Sequence, residues 1–166
     1  LAAYASGAVA ESTFADQLEM LEWADPERAA QIVDAAPPLA ADSTASEIEM
    51  LEIRGMIYAD STRDDDVDAV VRRLDAIARA GNPSAAAAGY YVRAYSARQH
   101  SQYAEAEAEL KRIDINSIRS DTERYRVLSV RGYVLRVLGQ DEAALPFLER
   151  ALDLANKMHD DVRTEH

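Results

Sequence analysis

The sequence predicts an all-α fold in which antiparallel helix pairs, about four of them, stack into a solenoid. Three observations predict it: punctuation residues that cut the chain into helix-sized stretches, a small-residue motif that returns every 38 or 39 positions, and no stretch that reads as strand. With 166 residues, 48% of them hydrophobic, there is enough apolar material for one buried domain or a stack of small helical units.

The helix starts are marked by their caps. Asp25-Pro26 and Asn82-Pro83 each set a good N-cap before a proline in the first turn, where a missing N–H costs nothing. Thr44-Ala45-Ser46-Glu47 and Ser120-Asp121-Thr122-Glu123 follow the capping-box pattern, a hydroxyl and a carboxylate satisfying each other's orphan amides. Gly81 and Gly139 stand where helices should stop, because glycine accepts a left-handed turn. These marks place helices near 13–24, 26–36, 44–60, 66–80, 83–99, 102–113, 121–138 and 141–158. Paired, they give units of about 13–36, 44–80, 83–113 and 121–158 within a single domain covering 1–166. In the first unit Trp23, beside Phe14, Leu18 and Leu21, is expected to anchor the core, the alternative being a partner-facing aromatic on an uncovered N-terminal edge.

The repeat itself is clearest toward the C-terminus. Arg131-Gly132-Tyr133-Val134-Leu135 is followed by Gly139, Ala143-Ala144, Leu148 and Ala151; 38 positions earlier, Arg93-Ala94-Tyr95-Ser96-Ala97 is followed by Ser101, Ala106, Leu110 and Ile113. A third copy, Arg54-Gly55-Met56-Ile57-Tyr58, stands 39 positions earlier again, with Val70, Leu74 and Ile77 after a longer turn, and a weak first copy ends in Ala29, Val33 and Ala36. Two antiparallel helices need a small residue where their backbones approach and larger apolar residues a turn away. One pair cannot bury its own apolar stripe, so neighbours must stack. Gly132 is expected to face Ala144, with Leu128 and Leu148 above and below.

The run from Leu138 to Ala155, Leu138-Gly139-Gln140-Asp141-Glu142-Ala143-Ala144-Leu145-Pro146-Phe147-Leu148-Glu149-Arg150-Ala151-Leu152-Asp153-Leu154-Ala155, resembles the tetratricopeptide repeat. Leu51, Tyr90 and Leu128 stand where that family opens its first helix with an aromatic residue, Asn156 replaces its closing proline, and the period exceeds the family's roughly 34 residues. A narrower likeness spans most of residues 20–166. Ala24-Asp25-Pro26-Glu27-Arg28-Ala29, Tyr90-Tyr91-Val92-Arg93-Ala94-Tyr95, Tyr103-Ala104-Glu105-Ala106 and Arg126-Val127-Leu128-Ser129-Val130-Arg131 resemble the repeat-containing sensory regions that precede GGDEF-type diguanylate cyclase domains in bacterial membrane proteins. That resemblance implies a superhelix, a periplasmic location, and a signal passed to an output domain elsewhere in a longer protein. The chain opens at Leu1 and ends at His166 just after what reads as a new helix start, Asp160-Asp161-Val162-Arg163, so a fragment of such a protein is expected.

Composition narrows the partners. A formal charge of −12 repels phosphate backbones and anionic lipid, which disfavours nucleic acid, and no apolar run is long enough to span a bilayer. There is no cysteine for disulfides, thiolate metal sites or thiol nucleophiles. Asp64-Asp65-Asp66-Val67-Asp68 invites a calcium reading, but lacks the glycine and terminal glutamate of a calcium loop; carboxylates at a helix N-terminus are favoured by the dipole alone. His100, His159 and His166 have no metal spacing, and no nucleophile is paired with a base. Neither a cofactor nor a catalytic role is expected.

In stacked pairs the first helices line a concave face. There the register places Tyr91, Tyr95 and Arg98 from the third unit, and Arg126, Tyr133 and Arg136 from the fourth. Tyrosine and arginine supply flat contact area and forked donors, which suits an acidic or carboxylate-bearing peptide. The plainer alternative is that the tyrosines pack neighbouring helices and the arginines solvate the surface. The expected role is therefore a protein- or peptide-binding sensory module, the alternative being a cytoplasmic scaffold without signalling output. Leu152, Leu154 and Met158 are expected to await a following helix, so that either two copies pair through an uncapped end or that end frays.

Overall fold

A computed structural model describes residues 25–35, 44–118 and 120–164, with side chains through Met158. Every regular element among them is helical: α1 (Pro26–Ala35), α2 (Thr44–Asp60), α3 (Asp64–Arg79), α4 (Pro83–Gln99), α5 (Tyr103–Leu110), α6 (Asp121–Val137) and α7 (Asp141–Thr164), with one 3-10 turn at Ile115–Ser117. The expected helix at 13–24, and Trp23 with it, lies outside the described residues. Each helix packs on the next in sequence, and α2, α4 and α6 also touch in succession.

The caps act as their residues suggest. Asn82 Oδ1 accepts the amides of Ser84 and Ala85 at 3.0 and 3.2 Å, and Ser120 Oγ accepts that of Glu123 at 3.2 Å. Asp25 Oδ1 accepts from Arg28 N at 3.0 Å. Glu47, expected to close a capping box, instead takes Arg73 Nε of α3 at 2.7 Å, a charged partner that outcompetes a backbone amide.

One turn occurs three times. After α2, α4 and α6 the chain passes through a left-handed residue, Thr62 (φ 55°), Ser101 (φ 60°) and Gly139 (φ 72°). Around each, the same bonds close the helix: Arg63 N–H to the Tyr58 carbonyl at 2.9 Å, Gln102 N–H to Ala97 at 2.8 Å, and Gln140 N–H to Leu135 at 2.9 Å. These turns are spaced 39 and 38 residues apart, the interval of the sequence motif. Glycine fills the strained position once; threonine and serine accept it in the other two copies.

A second feature shares that interval. Arg54, Arg93 and Arg131 stand 39 and 38 positions apart, and each projects to the helix preceding its own. Arg54 Nη2 approaches the Val33 carbonyl of α1 at 3.5 Å, Arg93 pairs with Asp75 of α3, and Arg131 forks onto Glu107 of α5 at 3.1–3.3 Å. Glu107 is buried, so that last pair is shielded from water.

The glycines mark close approaches, with one change of partner. A methyl group at Gly132 would sit 2.5 Å from Leu148 Cδ2, so its neighbour on α7 is Leu148 rather than Ala144. Helical side chains lean toward the N-terminus and cover the turn before their own Cα, which carries Leu148 over the glycine. Gly55 serves a different contact. Its missing Cβ would lie 2.6 Å from Val92 Cγ1, so it lets α2 approach α4 across pairs.

The helix expected at 102–113 stops at Leu110. Ile113, Ile115 and Ile118 are buried in the connection that follows, and Asp114 Oδ1 accepts from Asn116 N at 3.1 Å. Burying these isoleucines draws the connector inward and ends the helix early. At the other end α7 runs past the expected 158 to Thr164.

Candidate functional site

The first helices of the expected second, third and fourth units, α2, α4 and α6, border one groove. It has a volume of roughly 490 Å³ and is lined by Met56 of α2, by Tyr91, Tyr95 and Arg98 of α4, by Thr122, Tyr125, Arg126, Ser129, Val130 and Tyr133 of α6, and by Met158 of α7. Five of the six residues singled out from sequence are therefore in it. Arg136 is not: it lies one turn beyond Tyr133 at the C-terminal end of α6, exposed, with Nε 3.9 Å from Asp141 Oδ1. It shares the helical face of the groove but has run past its rim.

Within the groove the aromatic and cationic groups are stacked. The Arg98 guanidinium lies 4.4 Å from the Tyr95 ring centre and 6.0 Å from that of Tyr133. Tyr91 and Tyr95 are tilted against each other at 6.1 Å, and Tyr133 meets Tyr103 edge-on at 6.3 Å. The Tyr95 hydroxyl donates to Asp60 Oδ2 at 3.1 Å, which fixes its ring. Arg98 Nε is enclosed and has no hydrogen-bond acceptor among the described residues.

Exposure divides the set. Tyr91, at 2%, is a core residue that shows the groove one edge, whereas Tyr133 is 46% exposed and Tyr125 36%. Sequence reasoning missed Thr122, Tyr125 and Ser129, although with Arg126, Val130 and Tyr133 they follow helical spacing along one stripe of α6. Hydropathy hid them, since a stripe of hydroxyls and an arginine does not read as a face. It missed Met158 for another reason: expected to await a following helix, it turns inward, with Thr122 Oγ1 3.8 Å from its sulfur. Leu154 likewise packs against the core, while Leu152 stays exposed at 61%.

Behind the groove lies a buried acid. Arg126 Nη1 is 3.5 Å from Glu52 Oε1 of α2. Burial, then the neighbouring Glu123 and Glu49, push the Glu52 carboxyl up to about 8, and the Arg126 guanidinium pulls the other way. Glu123, half-buried, is also raised, first by burial and then by Glu49.

Among the described residues no group of three or more histidines or carboxylates is placed to hold a metal, and no helix is long and apolar enough to cross a membrane. Asp64, Asp65 and Asp66 occupy the first turn of α3, with Asp66 taken by Arg63 Nε at 2.7 Å and Asp64 3.3 Å from His100. Compared with protein-family models, curated proteins and solved structures, the chain finds no match.

Proposed function

We propose that the chain is a tetratricopeptide-like superhelix of helix pairs that binds a carboxylate-bearing peptide in the groove between α4 and α6, and that it has no catalytic role of its own. The pairing is supported by the turn and the arginine that return at one interval, as stacked copies of one repeating unit require. The observation that carries the binding reading is the groove's chemistry: Arg98 and Arg126 set among tyrosines on a chain of net charge −12. Positive groups gathered in one concavity of an acidic protein raise the local concentration of anionic ligands, and tyrosine supplies contact area at little entropic cost. The sensory role, the periplasmic location and the diguanylate cyclase output rest on the sequence resemblance alone.

The test is a library of acetylated acidic octapeptides screened for binding at pH 6.5. A selected peptide should lose about tenfold or more in affinity for Tyr95→Ala/Arg98→Ala, and bind Arg136→Ala as it binds the wild type. Equal affinity for the double variant and the wild type would move the site elsewhere.

A further inference from the structure

Arg126 belongs to two environments at once. It lines the groove, and its guanidinium also lies 3.5 Å from the buried carboxyl of Glu52. Glu52 and Glu123 border a separate cavity of about 30 Å³ together with Ser84 and Ser117, enough for a water molecule between the carboxyls. Tyr91 is the wall common to this cavity and the groove.

Among the described residues, groups on three helices face Glu52. Its own helix supplies Glu49, α6 supplies Glu123 and Arg126, and α4 contributes Tyr91 and Ser84. Of the other helices packed on α2, α1 directs Asp34 to Tyr58 and Arg63, and α3 directs Arg73 to Glu47. A carboxylate in this position has Arg126 to support its charge and two acids opposing it.

Resting on the reading that the groove takes a carboxylate ligand, we propose that Glu52 regulates that site: Glu52 and the ligand compete for Arg126, so that peptide binding is coupled to uptake of a proton by Glu52. A ligand carboxylate settling on Arg126 withdraws the support of the Glu52 charge and brings a further negative charge close by. Glu52 then takes a proton from solvent, and the ligand becomes the counter-ion of the arginine. The bound form holds that proton more tightly than the free form, so affinity falls as pH rises through the range where free Glu52 ionises, near 8, and is level below it. One coupled proton permits a slope of at most about tenfold per pH unit.

The experiment is calorimetry with the selected acidic octapeptide between pH 6.5 and 9.0, in buffers of different ionisation enthalpy. The wild type should lose roughly three- to tenfold in affinity between pH 8 and 9 and take up a fraction of a proton per peptide. Glu52→Gln, which mimics the protonated acid, should bind with level affinity and no proton uptake. Arg126→Gln should bind more weakly with an equally flat profile, and it keeps the test decisive if the first variant does not fold. Should either folded variant retain the wild-type slope and proton uptake, the coupling is overturned while peptide binding stands. Should no peptide in the library bind, the binding reading falls and takes the coupling with it.

Discussion

The junction between α1 and α2 and the junction between α5 and α6 use the same residue for opposite ends of a strength scale. At the first, Arg54 meets a neutral carbonyl at 3.5 Å, and its Nε is buried without an acceptor among the described residues. At the second, Arg131 forks onto a carboxylate that is only 6% exposed, with the Phe147 ring 4.4 Å from its guanidinium. The repeat preserves the residue that reaches but not the group it finds, and the acceptor decides what the contact is worth. Each contact adds its own share to the stability of the helices it joins, so the two can be tested against each other.

The largest test of this contrast removes each arginine. Arg131→Ala leaves the Glu107 carboxylate buried with only Lys111, at 3.6 Å, nearby, and should cost about 3 kcal/mol in urea unfolding; Arg54→Ala should cost under about 1 kcal/mol. Equal losses would mean that burial of the acceptor does not matter. Next comes the α2–α6 contact through Glu52. Its folded-state value near 8 lies above the ordinary 4.5, so between those values the folded state holds a proton that the unfolded chain has released. Stability should fall as pH rises through that window, by up to a few kcal/mol, and level off above it; Glu52→Gln should remove that share of the decline in a pH series of denaturation midpoints.

Smaller effects separate the two glycine contacts. Gly55→Ala drives a methyl group into Val92, which is fully buried and stiff at its branched carbon, and should cost about 1–2 kcal/mol after the gain in helix propensity. Gly132→Ala meets Leu148, which is half-buried and can swing outward, so it should be nearly neutral; thermal unfolding of the two variants checks the order. The smallest change relaxes the turns. Ser101→Gly and Thr62→Gly should each stabilise by about 0.5–1 kcal/mol, because both residues hold the left-handed conformation that glycine adopts freely, and Gly139 already uses it.

Helix existence and order were legible because caps and prolines act locally: Asn82 and Ser120 bind the amides their positions suggest. The interval was legible too, since Gly55, Ala94 and Gly132 repeat it. What escaped was whatever depended on contacts distant in sequence. Ile113 looked like the end of a helix because its apolar character fits either a helical stripe or a buried connector, and only packing chooses between them. Leu148 displaced Ala144 as the partner of Gly132 through side-chain lean, which spacing does not encode. In the groove, Arg126 was found from its charge, but its tie to Glu52 crosses from α2 to α6 and leaves no mark in either segment.

The three arginines all point toward residues that precede them in the chain. During synthesis from the N-terminus, each therefore emerges from the ribosome when its acceptor has already been made, and docking of a new pair needs nothing still inside the exit tunnel. Of the three contacts, the most deeply buried, Arg131 on Glu107, is also the last whose two partners are both synthesised.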